Sequence, residues 1–121
     1  MDQAKPLPGS VGWVDLTVDH APAARDFYAN VVGWRAEPVD MGDYADFNMS
    51  DAAGTPRAGV CHRRDANAKL PAVWMVYFVV PDLAASVERA CSLGADIVDG
   101  PRSKLCVLRD PHGAVFALYQ A

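Results

Sequence analysis

The chain has 121 residues and a mass of 13.0 kDa, which fits one domain or two very small repeated modules. Its content of 51% hydrophobic and 21% charged residues excludes a disordered tail, a collagen-like repeat and a coiled coil. The net charge is −4 and no basic run is present, so we expect no nucleic-acid partner. No apolar run approaches the roughly 20 residues that cross a bilayer, so we expect no membrane partner.

The three cysteines, Cys61, Cys91 and Cys106, are far apart and form no Cys-x-x-Cys pair. This spacing argues against a disulfide framework and against a zinc site. Because each cysteine lies in an apolar stretch, we expect buried, reduced thiols in a cytoplasmic protein.

The first predicted module covers about residues 10–62 and begins with a strand over Val11–Val18, where apolar side chains alternate. A helix follows, with Pro22 in its first turn and Gly33 just past its end. The spacing predicts one apolar stripe on this helix, made of Ala24, Phe27, Tyr28, Val31 and Val32. Turn-forming residues then separate three further predicted strands, Trp34–Val39, Tyr44–Met49 and Arg57–His62.

A polar linker over about residues 63–72 leads to a second module over about residues 73–120. The apolar run Trp74–Val80 predicts a strand, Asp82 is placed to cap a second helix, and Gly94 to end it. Three predicted strands complete the module: Asp96–Val98, Lys104–Arg109 and Ala114–Tyr119. The short segment Gly100–Lys104 before the third of the module's four strands is expected to be a loop.

Strand, helix and three strands therefore occur twice, and Asp51-x-x-Gly54 recurs as Asp110-x-x-Gly113. A four-stranded sheet covered by one helix leaves a bare face, which must be buried or bind a ligand. We therefore expect an α+β fold in a single domain over residues 1–121. Its two βαβββ modules would form a curved eight-stranded mixed sheet around a trough, with the helices outside.

Several stretches resemble the vicinal oxygen chelate superfamily, notably Asp15-Leu16-Thr17-Val18, Val32-Gly33-Trp34 and Asp110-Pro111-His112-Gly113. That superfamily includes glyoxalase I, bleomycin-resistance proteins and extradiol dioxygenases. The chain is similar in particular to small bacterial glyoxalase-like proteins. The resemblance implies a homodimer and, in the enzymes of the superfamily, a divalent metal at the bottom of the trough.

The superfamily's metal-ligand positions fall on residues that do not bind hard metals. On the first strand of each module they fall on Trp13 and Met75, and on the last strand of the second module on Ala117. In the first module the last-strand position falls on Ala58, to within about two residues. Trp and Ala offer no donor, and a Met thioether prefers soft ions. We therefore expect no metal, no cofactor and no catalytic residue.

The trough is predicted to be lined by aromatic and apolar side chains with a few polar ones, which is typical of a small-molecule pocket. The aromatic faces would stack on a flat ligand or hold a cation. Asp15 would either neutralise an amine or pair with a surface arginine such as Arg57. Trp13 and Met75 could instead fill the trough as core or lie in a dimer interface. The candidate ligand-binding residues are Trp13, Asp15, Tyr44, Asn48, His62, Met75, Tyr77 and Tyr119.

These observations favour metal-independent binding and sequestration of a flat aromatic or cationic small molecule, as in the antibiotic-resistance members of the superfamily. One alternative is a metal-dependent lyase or dioxygenase of the glyoxalase type, with non-standard ligands such as Asp15 and His62. The other is a homodimeric interaction module in which the bare face holds no ligand.

Overall fold

The computed structural model describes residues 6–121 of the chain. Their eight strands form a mixed sheet accompanied by two α-helices, which confirms the predicted α+β class and the repeated order of elements. The elements are β1 (Val11–Val18), α1 (Ala21–Val32), β2 (Arg35–Asp40), β3 (Ala45–Ser50), β4 (Pro56–His62), a 3-10 turn (Asp65–Asn67), β5 (Trp74–Val80), α2 (Leu83–Ser92), β6 (Asp96–Arg102), β7 (Leu105–Arg109) and β8 (Val115–Gln120). Within residues 6–121, neither helix has the length and apolar character needed to span a bilayer.

Contacts divide the chain into two compact units. The central unit is Val14–Trp74, and the terminal unit combines the described residues up to Trp13 with Met75–Ala121. In the central unit the strands follow the order β2-β3-β4-β1, with β1 parallel to β4 and the other pairs antiparallel. In the terminal unit the order is β5-β8-β7-β6, with β5 parallel to β8.

The core of the central unit lies between α1 and one face of its strands. Phe47, Met49 and Val60 are buried there against Ala21, the first residue of α1. The helix ends as predicted at Gly33, whose φ of 84° is the left-handed conformation that glycine adopts without strain.

The predicted apolar stripe on α1 is only partly buried. Ala24 and Tyr28 lie half buried, whereas Phe27, Val31 and Val32 are 58%, 65% and 51% exposed. The helix packs instead through a face centred on its small residues, including the fully buried Ala21. Small side chains let a helix approach a sheet closely. The positions of the alanines, and not those of the large apolar side chains, therefore set the orientation of α1.

The core of the terminal unit lies between α2 and the strands β5, β7 and β8. It consists of buried residues packed against one another: Leu83, Val87, Cys106, Leu108 and Leu118. Asp82 caps α2 as predicted, since its Oδ1 accepts a hydrogen bond from the Ala85 N–H at 3.1 Å.

The strand predicted over Asp96–Val98 continues to Arg102, and β7 begins at Leu105 and not at Lys104. The segment expected to be a loop is therefore mostly strand, and the connection is the two-residue turn Ser103–Lys104. Both residues have positive φ, 48° and 63°, as the central residues of a type I′ hairpin turn require.

The turn between β3 and β4 is held by one carboxylate. Asp51 Oδ1 accepts hydrogen bonds from the N–H groups of Ala53 and Thr55 at 2.9 and 3.0 Å. Arg57 donates from Nε to Oδ2 at 2.7 Å, and it lowers the pKa of the Asp51 carboxyl more than the backbone donors do.

The turn between β7 and β8 repeats this arrangement. Asp110 Oδ1 accepts from the N–H groups of His112 and Ala114 at 2.8 and 3.0 Å. These donors favour the ionised carboxylate and lower the pKa of Asp110. The sequence repeat Asp-x-x-Gly therefore corresponds to a repeated hydrogen-bonded turn.

We expect Asp110→Asn to change how stability depends on pH. The amide oxygen still accepts the two N–H groups, but it does not titrate. Because the pKa of Asp110 is lower in the folded chain, its ionisation stabilises the fold above about pH 4 and this contribution disappears as the pH falls further. Thermal unfolding from pH 7 to pH 2.5 should therefore show the gap between wild type and variant closing below about pH 4. A gap of constant size would contradict this account.

We expect Lys104→Gly to stabilise the protein. A side chain in the left-handed region costs about 1–2 kcal/mol, and the extra freedom of glycine in the unfolded chain offsets part of the gain. Urea unfolding should show a net gain of about 0.5–1 kcal/mol. Lys104→Ala is the matched control, because it removes the same side chain but keeps Cβ. Equal stability of the two variants would contradict the prediction.

Candidate functional site

A cavity of about 270 Å³ lies within the terminal unit, and we call it the aromatic cavity. Its walls come from β1, β5, β7 and β8, from the β6–β7 turn and from the chain before β1. The residues that line it are Pro6, Gly12, Trp13, Tyr77, Ser103, Leu105 and Tyr119.

Strand alternation places the two tyrosines in this cavity. Phe78 contacts the ring of Phe116, and Leu118 lies in the core beneath α2, so their neighbours Tyr77 and Tyr119 take the opposite face. Tyr119 stands opposite Leu105 on β7, so Leu105 lies on the same face as the two tyrosines. The predicted orientation of the strands in the second module is therefore correct.

Trp13 is positioned by the chain just before it. The N–H of Val79 donates to Ser10 O at 2.9 Å, and the Val79 carbonyl accepts from the Gly9 N–H at 2.7 Å. Gly12 permits the close approach, because a Cβ there would lie 2.8 Å from Cγ2 of the buried Val79. The sequence shows a glycine within the first predicted strand, but the reason for that glycine is its contact with Val79, which only the structure shows.

The part of the aromatic cavity lining that the structure describes carries no charge. Trp13, Tyr77 and Tyr119 supply π faces, and the hydroxyls of Tyr119 and Ser103 can form hydrogen bonds. None of its seven lining residues is ionisable below the range of tyrosine. Of the predicted ligand-binding residues, Trp13, Tyr77 and Tyr119 come together here, whereas Met75 is only 3% exposed and does not line this cavity.

A second group of predicted residues, Tyr44 and His62, meets in the central unit around Asp46. The Asp46 carboxylate is 7% exposed; its Oδ1 accepts from the His62 backbone N–H at 2.9 Å and lies 3.2 Å from His62 Nδ1. The Tyr44 and His62 rings meet edge to face at 5.2 Å, and the Arg64 guanidinium lies 4.0 Å from the Tyr44 ring centre. Partial desolvation raises the pKa of Tyr44, and the Asp46 carboxylate adds to the effect.

Asp15 and Asn48 lie on the same sheet face of the central unit, because both stand opposite Gly59 in register. Arg57, the arginine suggested as an alternative partner of Asp15, pairs with Asp51. Asp46, which orients His62, was not among the predicted ligand-binding residues. That link joins residues 16 positions apart and follows only from the strand register.

Cysteine burial differs from the expectation. Cys106 is buried, Cys61 is half buried, and Cys91 is exposed. Burial raises the pKa of the Cys61 thiol well above its usual range, and the nearby carboxylates of Asp15 and Asp46 raise it further. A nucleophilic cysteine needs the opposite shift, so Cys61 is poorly suited to that role.

The metal-ligand positions of the superfamily do not form a hard-metal site in this chain. Ala58 is buried and stands opposite Met49, so it faces α1; its neighbour Gly59 occupies the other face, opposite Asp15. In the terminal unit the corresponding pair is Tyr77 and Ala117. Glycine and alanine side chains offer no donor. Within residues 6–121, no three His, Cys, Asp or Glu side chains are grouped as metal ligands.

We expect Cys91 to react first with iodoacetamide at pH 8.5. The raised pKa of Cys61 leaves little thiolate, so its alkylation in the folded protein should be about tenfold slower or more. Peptide mass spectrometry over a time course measures each site separately. In urea all three cysteines should react alike, which serves as the control; equal native rates for Cys61 and Cys91 would contradict the prediction.

Comparison with known proteins assigns the chain to a family. The model of the glyoxalase-like domain matches residues 13–119. The anthracycline biosynthesis protein DnrV of Streptomyces peucetius is 38% identical over 120 residues, covering 94% of this chain and 42% of the relative. DauV of Streptomyces sp. (strain C5) is also 38% identical with the same coverage. The chain thus spans less than half the length of these curated relatives.

Solved structures share the fold at low sequence identity. Methylmalonyl-CoA epimerase from Mycobacterium tuberculosis has a TM-score of 0.60 at 16% identity, covering 98% of this chain and 92% of that one. A glyoxalase/bleomycin resistance protein/dioxygenase superfamily member from Vibrio splendidus 12B01 has a TM-score of 0.56 at 12% identity, covering 90% and 97%. Since the family model matches nearly the whole chain, this protein belongs to the glyoxalase-like domain family of the vicinal oxygen chelate superfamily.

Proposed function

We propose that this protein binds a planar, uncharged aromatic small molecule in the aromatic cavity, without a metal, and acts by sequestering it. The observation that carries the proposal is the lining contributed by residues 6–121: three aromatic rings, one leucine and hydroxyl groups, with no carboxylate or cationic side chain among them. Such a surface stacks on a flat ring system and orients it through a few hydrogen bonds.

Charge favours a neutral ligand over the cationic one that the sequence left open. Asp15, the carboxylate expected to hold an amine, is not among the residues that line the cavity. A cation moved from water into this cavity would keep only its attraction to the ring faces, at the cost of desolvation. The volume of about 270 Å³ suits a ligand at the small end of the usual range for binding pockets.

The family position of the chain is compatible with this ligand class. Two relatives are named for the biosynthesis of anthracyclines, which contain flat fused rings. The donor set supports independence from metal. None of the residues onto which the resemblance places the ligand positions offers a hard-metal donor: Trp13, Ala58, Met75 and Ala117.

We expect coumarin, which is flat and neutral, to bind more tightly than N-methylquinolinium, which has a similar two-ring shape and a positive charge. Isothermal titration with each probe measures the difference. Tyr119→Ala should weaken coumarin binding by about tenfold, because one stacking face is lost. EDTA should leave the affinity unchanged.

Phe27→Ala is the matched control, since it removes an exposed ring from the other unit and should leave the affinity for coumarin unchanged. Leu105→Trp tests the cavity in the opposite direction, because the larger ring would fill it and prevent binding. Tighter binding of the cation, or equal affinities in wild type and Tyr119→Ala, would refute the proposal.

A second candidate function, proton-transfer catalysis, is favoured by one observation, the contact between Asp46 and His62 Nδ1. A carboxylate on Nδ1 fixes the imidazole orientation and leaves Nε2 as the base. Turnover of a bound ligand that is lost in His62→Gln, with the binding constant unchanged, would establish this function in place of sequestration.

A further inference from the structure

A second cavity, of about 330 Å³, lies within the central unit between α1 and the strands; we call it the α1 cavity. It shares no residue with the aromatic cavity. The residues that line it are Val14, Tyr28, Val32, Trp34, Arg57, Ala58 and Trp74.

Three aromatic rings form one fixed wall of the α1 cavity. Trp74 meets Tyr28 edge to face at 4.9 Å and Trp34 at 5.8 Å. Trp74 Nε1 also donates a hydrogen bond to Tyr28 Oη at 3.2 Å, which ties the helix residue to the first residue of β5. All three side chains remain partly exposed. The rings are therefore held in place before any ligand arrives, which lowers the entropic cost of binding.

The polar groups of the α1 cavity are hydrogen-bond donors. Arg57 Nε donates to Asp51 Oδ2 at 2.7 Å, and Asp51 is itself fixed by its turn, so the guanidinium is oriented while its terminal nitrogens remain able to donate. Tyr28 Oη accepts the Trp74 N–H and keeps its own hydroxyl proton for donation. Among the described residues, none that lines the α1 cavity carries a carboxylate.

We propose that the α1 cavity is a second ligand site, which binds a planar aromatic carboxylate. The ring would stack against Trp34 and Trp74, and the carboxylate would accept from the forked guanidinium of Arg57 and from the Tyr28 hydroxyl. A cation would find no carboxylate partner among the described residues that line the cavity. A neutral ring would gain the stacking alone, so the charge distinguishes this site from the aromatic cavity.

The test uses the placement of the tryptophans. The chain has three, so Trp13→Phe leaves only Trp34 and Trp74, both in the α1 cavity. We expect 4-nitrobenzoate, a flat quencher, to reduce the fluorescence of this variant saturably. Adding Arg57→Gln should weaken the binding by about tenfold, because the charge-assisted hydrogen bonds are lost. 4-Nitrobenzamide, which has the same ring without the charge, should bind both forms equally.

Controls separate recognition from folding. Arg35→Gln removes another exposed arginine of the central unit and should leave nitrobenzoate binding unchanged. Arg57→Lys keeps the charge but not the fork and should bind with intermediate affinity, and thermal unfolding confirms that each variant is folded.

Linear, non-saturating quenching, or equal nitrobenzoate affinity with and without Arg57, would overturn the proposal. So would sedimentation showing a dimer that excludes the quencher, because the face beside the exposed Phe27 and Val31 would then bind a second copy. Loss of coumarin binding in Tyr119→Ala does not bear on this site, since the two cavities share no residue.

Discussion

The two-sided character of the β-strand is the constraint on which the rest of this molecule depends. In the terminal unit, Cys106, Leu108 and Leu118 are buried beneath α2. Once those residues face the helix, Leu105 and Tyr119 must face the other way, since successive side chains alternate. A shift of one residue in the register of β8 would place the tyrosine in the core and a leucine in the cavity. The hydrophobic core therefore determines the chemistry of the opposite face.

The same constraint explains what could be predicted from the sequence. The bounds of β5, the end of α1 at Gly33 and the cap at Asp82 all follow from local patterns, and the structure has each of them. The tyrosines of the aromatic cavity followed from alternation. The side of α1 that packs on the sheet could not be predicted, because its apolar stripe and its face of small residues were both candidates. The helix packs through Ala21 and leaves Phe27 exposed.

Contacts between distant residues were beyond local patterns. The sequence suggested Asp15 as a partner for Arg57, whereas the turn geometry brings Asp51 to it. The pairing of Asp46 with His62 is of the same kind. The sequence placed one ligand position at Ala58 to within about two residues. Only the register shows that Ala58 faces α1 while Gly59 takes the opposite face. The two cavities are likewise formed by residues from several strands, so the sequence alone does not predict their volumes.

The repeated aspartate turns have a consequence for how the chain reaches this structure. Asp51 closes the pair β3–β4, and Asp110 closes the pair β7–β8, each through hydrogen bonds that span at most four residues. Hairpins with such local closure form within about 1–10 μs, far faster than pairings between distant strands. Each unit thus contains one hairpin that is closed by residues near in sequence, and a substitution in one turn leaves the hydrogen bonds of the other turn in place.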